Sequence, residues 1–281
     1  MSDELILKLS CPDRPGIVRA VSGAITELGG NIVESQQYGD VSSGTFHMRV
    51  ETERIADPAG FRNRMETMGE ALGMTWEINR AERKLRTVIM ASKEAHCLSD
   101  LLYHTKDGHI PIEVAAVVAN HETLRPLADF YGVPFVYIPV SKDTKPEAEA
   151  ALMEVIEREG AELVVLARYM QVLSDKVCAA MEGRIINIHH SFLPSFKGAR
   201  PYAQAHARGV KLIGATAHYV TPDLDEGPII EQDVVRVKHS DSVAELVSQG
   251  QDVERRVLTR AVRWHAEHRV LLNGSSTVVF A

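Results

Sequence analysis

"RTVIMASKEAHCLSDLLYHTKDGHIPIEVAAVVAN", residues 86–120, decides the fold of the larger part of the chain. An apolar run, RTVIMAS, gives way to a helical stretch and then to a second apolar run, EVAAVVAN. Strands apolar on both faces suit a parallel sheet, because crossover helices cover both of its sides. The alternation continues outward through FVYIPV (135–140) and ELVVLARY (162–169). GRIINI (183–188) extends the sheet, and KLIGATAHYV (211–220) and GPIIEQDVVRV (227–237) are strand-like. A long helix is predicted from SVAE (242–245), where Ser242 and Glu245 have capping-box spacing. Its apolar stripe runs through Leu246, Val253, Val257 and Val262.

Upstream the pattern changes. ELILKLSC (4–11) alternates as a half-buried strand does. The next segment is helical, with Asp13 as its expected cap, Pro15 in the first turn and Gly29 as its stop. Two strands follow, NIVESQQYG and TFHMRVET, joined by the turn-rich DVSSG, then a second helix (58–73) and a strand, MTWEINR. The order βαββαβ is the ferredoxin-like split motif. These readings predict a first domain over 1–80, a charged linker at 81–84 and a second domain over 85–281.

Composition limits the function. A net charge of −7 argues against nucleic-acid binding, which needs a basic face. No apolar run is long enough to span a bilayer, and MSDELILKLSCPD does not read as a signal peptide. Cys11, Cys97 and Cys178 form no CxxC pair, as expected of buried thiols in a reducing cytoplasm. A soluble cytoplasmic protein is expected.

In open α/β sheets, ligands bind beyond the carboxyl ends of the strands. Asn187, His189 and His190 lie at such an end. Thr216 and His218 lie on the strand-like segment downstream, and Asp223 and Asp225 follow it. If that strand pairs with GRIINI, an amide, an imidazole and a carboxylate converge. Such a set can run acyl transfer to water: the carboxylate handles the proton, and the amide and imidazole meet the developing charge. No GxSxG elbow supports a covalent serine route. His189, His190, His206 and His218 match no zinc spacing, so no metal is expected. Read singly, these histidines are also ordinary packing or capping residues, and an Asp before Glu-Gly is also a turn former.

Together, NIHHSFLPSFKGARPY (187–202) and GATAHYVTPDLDEGPIIEQ (214–232) resemble the folate-dependent formyltransferase family. VVLARYMQVLS (164–174) is similar to its folate-binding stretch, and LNGSSTVVF (272–280) to the endings of its hydrolytic members. The resemblance covers residues 85–281 and implies a Rossmann-like α/β domain with a mostly parallel sheet. It assigns catalysis to Asn187, His189 and Asp225, support to His190, Thr216 and His218, and pterin binding to Met170, Gln171, Val172 and Leu173. His190 stands where nucleotide-using relatives carry proline, so it either helps order a water or is structural.

Those relatives also have a Gly-rich phosphate turn where this chain reads ASKEAHCLSDLL (91–102). Lys93 or His96 either binds an anion there or belongs to a solvated helix start. Without an acceptor pocket, the resemblance implies hydrolysis of 10-formyltetrahydrofolate to formate and tetrahydrofolate. The formate would supply purine synthesis and the tetrahydrofolate would rebalance the one-carbon pool. The rivals are transfer to a small amine and an amino-acid sensor with a degenerate catalytic domain. CPDRPGIVRAVSGAITELGGNI (11–32) resembles the ACT domain, a small regulatory module. That resemblance implies an amino-acid effector near Asp13, Arg14, Gly16 and Asn31, or a purely oligomerising role. The open sheet edge predicts a homo-oligomer, a dimer or tetramer, either way.

Overall fold

The computed structural model describes residues 4–193 and 201–281. The rest of the PSFKGAR stretch (194–200) quoted above lies outside the described residues.

The chain divides into two compact units, Met1–Arg83 with Glu267–Ala281, and Lys84–Ala266. The first contains β1 (Leu5–Pro12), α1 (Ile17–Glu27), β2 (Asn31–Asp40), β3 (Thr45–Glu53), α2 (Pro58–Leu72) and β4 (Thr75–Arg80), as the sequence predicts. Its antiparallel sheet has the order β2-β3-β1-β4. Alternate residues of β1 and β3, among them Leu7, Leu9, Met48 and Val50, are buried against Val21 and Ile25 of α1 and Phe61 and Met65 of α2. Asp13 does not cap α1; the cap position is Gly16, with φ 98°. Asp13 instead donates its backbone N–H to the Gly44 carbonyl at 2.8 Å. Gly29, with φ 74°, does end the helix.

A domain continuous over 85–281 differs from this division at its end. Arg49, 2% exposed, points to the sheet face opposite the helices and cannot stay there unpaired. It donates to the Glu267 carbonyl at 3.2 Å and pairs with Glu34 and Glu51. The hairpin of β12 (Val270–Asn273) and β13 (Ser276–Val279) follows. Arg269 pairs with Glu34 at 3.3 Å, and Asn273 donates to Asp40 at 2.9 Å. Residues 267–281 therefore complete the first unit.

The second unit comprises β5 (Leu85–Ala91), α3 (His96–Lys106), β6 (Ile112–Ala119), α4 (Arg125–Tyr131), β7 (Phe135–Tyr137), α5 (Lys145–Arg158), β8 (Leu163–Leu166), α6 (Asp175–Ala180), β9 (Ile185–His189), α7 (Pro201–Arg208), β10 (Leu212–Tyr219), β11 (Ile229–Arg236) and α8 (Val243–Ala266). The sheet order is β11-β10-β9-β8-β5-β6-β7. β5 to β9 are parallel, and β10 and β11 are added antiparallel. β5 is followed by β6 on one side, while β8 returns to its other side, a topological switch point where α/β sheets open a crevice. Ser242 and Glu245 form the predicted capping box at α8, with Glu245 accepting the Ser242 backbone N–H at 2.7 Å.

Candidate active site

Four of the predicted site residues owe their meeting to strand register. Residues two apart on a strand share a face, so Asn187 and His189 point the same way. β10 pairs antiparallel with β9, setting His218 opposite Asn187 and Thr216 opposite His189. The Asn187 amide donates to Nε2 of His218 at 3.2 Å. The ring's other nitrogen, Nδ1, is 2.8 Å from the Tyr219 carbonyl, which can only accept. That fixes the proton of neutral His218 on Nδ1 and leaves Nε2 to receive the amide. One N–H of Asn187 stays available for the cleft.

Asp225 joins them from the loop after β10. It adopts φ 58°, a left-handed conformation that aspartate tolerates better than most residues. Its Oδ2 is 3.2 Å from His189 Nδ1, and its Oδ1 is 3.7 Å from His218 Nε2. Hydrogen bonding to His189, more than anything else, holds the Asp225 carboxyl well below the usual carboxylate range. It is firmly an anion. The remaining nitrogen of His189, Nε2, is buried and has no hydrogen-bond partner.

Thr216 is fully buried and works as a clamp. Its hydroxyl donates to the Ser191 carbonyl at 3.1 Å, and accepts from the Leu193 N–H at 3.2 Å and from Gln232 Nε2 at 2.9 Å. The clamp fixes the chain just beyond His189. Gln232 escapes a sequence reading because only the β10–β11 register, Thr216 opposite Gln232, brings it there.

Asn187, His189, His218 and Asp225 face a cleft of about 610 Å³. Met170, Gln171, Val172 and Leu173 lie in the loop after β8 and line the cleft's other wall. Met170 and Val172 are more than half exposed, free to meet a flat apolar ligand. His190 also lines the cleft, with its Nδ1 buried and unpartnered. Burial, then the charges of Arg168 and His189, push its pKa down to about 4. A neutral imidazole stands there at neutral pH.

Further side chains in the cleft were not legible as a site. Arg168 lies within the quoted 164–174 stretch, but its φ of 62° and its approach to Glu254 are tertiary facts. His96 is the first residue of α3, just after the exposed residues 93–95, but its own ring turns inward. It is 11% exposed in its side chain and bonded to Glu254 at 2.8 Å, whereas Lys93 is exposed. Of the predicted effector residues, Asp13, Arg14 and Gly16 share the loop between β1 and α1. Asn31 sits at the opposite end of the sheet, opposite Glu53, and one chain does not bring all of them together.

A switch-point crevice with an amide, an imidazole and a carboxylate has the groups that acyl transfer needs, and comparison with known proteins gives the class of the chain. The family model described as formyl transferase matches residues 85–262, and the ACT domain model matches residues 5–69. The chain belongs to the formyl transferase family. Its full-length similarity is to formyltetrahydrofolate deformylases. It is 50% identical over 284 residues to that of Corynebacterium sp. (strain P-1), covering 99% of each chain. The crystal structure of a formyltetrahydrofolate deformylase from Pseudomonas syringae pv. tomato has a TM-score of 0.96 at 45% identity, covering 100% of this chain and 95% of that one. Glycinamide ribonucleotide transformylase 1 from Symbiobacterium toebii is similar over 70% of this chain and 95% of its own, with 32% identity and a TM-score of 0.66.

Proposed function

We propose that this chain hydrolyses 10-formyltetrahydrofolate to formate and tetrahydrofolate. The observation that carries the reading is the convergence of Asn187, His189 and Asp225 on a cleft whose other wall is the 170–173 loop.

Water attacks the formyl carbon, and the oxygen of the resulting tetrahedral intermediate becomes an anion. The free N–H of Asn187 donates to it. When it carries a proton on both ring nitrogens, His189 donates from Nδ1 to Asp225 and from its buried Nε2 to the oxyanion, a second donor. Because Asp225 is held so firmly ionised, it is a weak base alone. It accepts the hydrogen bond of the attacking water and relays the proton as the carbon–nitrogen bond breaks. The folate nitrogen leaves protonated, and formate remains. Met170 to Leu173 hold the pterin, and Thr216 and His218 keep the polar groups in register. His190 stands in the cleft as a neutral ring beside the water path.

Several finer points extend this reading. The formate supplies purine synthesis, the enzyme works in the cytoplasm, and the ACT-like unit takes an amino-acid effector between paired copies. The exposure of Val33 and Tyr38 on edge strand β2 supports pairing into a homo-oligomer. The primary test uses 10-formyltetrahydrofolate with no acceptor. Equimolar formate and tetrahydrofolate are expected; formate that appears only after an amine is added would sink the hydrolytic reading.

A further inference from the structure

A second group of side chains, in the wall of the same cleft and directly behind it, has no part in the chemistry above. Glu254 of α8 is 1% exposed. Its carboxylate takes His96 Nε2 at 2.8 Å and the Tyr202 hydroxyl at 2.5 Å, with Arg168 Nε at 3.4 Å. Burial pushes the Glu254 carboxyl up, but the hydrogen bond from His96, the charge of Arg168 and the bond from Tyr202 outweigh it, so it is an anion. Tyr202 reaches this place because Gly250 of α8 has no side chain; a Cβ there would lie 2.1 Å from the tyrosine hydroxyl. Nearer solvent, Gln251 donates to Glu94 at 3.3 Å. Glu94, Arg168, Tyr202, Gln251 and Glu254 all line the cleft.

A buried carboxylate with three partners does not swing aside for a guest, since that would strand a charge away from water. An amine acceptor needs room beside the formyl carbon; a water molecule needs little. We propose that the His96–Glu254–Tyr202 cluster, with the Gln251–Glu94 pair in front of it, is a plug. It keeps primary amines out of the cleft and leaves water as the only nucleophile. The inference rests on the hydrolytic reading and makes His96 its specificity-determining residue.

Glycinamide tests the plug. In the transfer reaction its amine nitrogen bonds to the formyl carbon, the bond to the folate nitrogen breaks, and the amine proton ends on that nitrogen. The readout is the ratio of N-formylglycinamide to formate, which does not depend on how much enzyme is folded. Wild type should give formate alone. His96→Gly, and separately the Glu94→Ala/Gln251→Ala pair, should raise the ratio at least tenfold, while His96→Gln, which keeps bulk and a donor for Glu254, should not. Should His96→Gly fail to fold, the Glu94→Ala/Gln251→Ala pair carries the test alone. The plug is refuted if the folded variants release formate but make no amide at saturating glycinamide, or if wild type makes amide as readily. Failure of the hydrolytic reading looks different: wild type then releases no formate without an amine.

Discussion

The Tyr219 carbonyl and Gly227 approach so closely that a Cβ on Gly227 would lie 1.8 Å from the carbonyl oxygen. This contact, with the Tyr219 N–H donating to Pro228 at 2.9 Å, closes the neck of the loop that carries Asp225. Gly227→Ala must open the neck. It should cost on the order of 1–3 kcal/mol of stability and lower turnover more than tenfold by moving Asp225. A Gly227→Ala enzyme with unchanged kcat would show that the neck does not position the loop.

Asp225→Asn removes the anion but keeps the shape. His189 loses its charged partner, and the relay loses its acceptor. Turnover should fall roughly 10²- to 10⁴-fold, with folate binding preserved in an equilibrium titration. Full activity in this variant would remove Asp225 from the mechanism.

Thr216→Val deletes the clamp and leaves the Leu193 N–H and the Gln232 amide short of partners. Each buried group so stranded costs about 1–3 kcal/mol. Because the clamp fixes the chain next to His189, kcat should drop while KM for the folate changes little. Thr216→Ser, which keeps the hydroxyl, should restore most of kcat; equal losses in both variants would mean that the hydroxyl does not matter.

Acid should destabilise the protein in two windows. His190 has a folded pKa of about 4 against an ordinary 6.5, so the unfolded chain takes up its proton first. Its contribution is intact above pH 6.5 and is lost as the pH falls toward 4. His268, pushed down to about 4 chiefly by burial, acts in the same sense. Asp225 adds a second loss, beginning near the ordinary carboxylate value of about 4 and continuing to lower pH. Urea midpoints at pH 7 and pH 5 check the first window. His190→Asn should shrink the difference between them, and a difference as large as in wild type would refute the assignment.

Arg49→Met removes the cation that binds Glu267 and Glu34 on the buried sheet face. The carboxylates left behind are partly exposed and can rehydrate, so the loss should be on the order of 1–3 kcal/mol, mainly from the stranded carbonyl. Hydrogen exchange should accelerate across 267–281, and unchanged protection there would place the hold on the hairpin elsewhere.

The parallel sheet was legible because its central strands β5, β6 and β8 are apolar on both faces, a pattern that suits few other settings. Asn187 and His189 were legible as a pair for the simpler reason that residues two apart share a face. That a carboxylate would join them followed from the expected strand pairing, but the choice of Asp225 over Asp223 did not, because its contact with His189 spans a loop whose path depends on Gly227. Glu254 and Gln232 could not be found at all, and His96 could be singled out only by its place in the 91–102 stretch, not by its partner. Glu254 looks like any polar residue on an amphipathic helix, and only packing shows that it is buried. The C-terminal boundary was missed for the same reason: 267–281 reads as a continuation of its neighbours, and the claim of Arg49 on the Glu267 carbonyl is a contact across 218 positions.

That contact also sets an order of events during synthesis. The strand bearing Arg49 emerges early, yet the carbonyl that satisfies its guanidinium is made only after all of residues 84–266. Until then the guanidinium must remain hydrated or lean on Glu34 and Glu51 alone, and the sheet face around it stays uncovered. The second unit can complete its own core before that moment. Growing chains halted just short of 267 should therefore hold a protease-resistant second unit beside a first unit that is still readily cut.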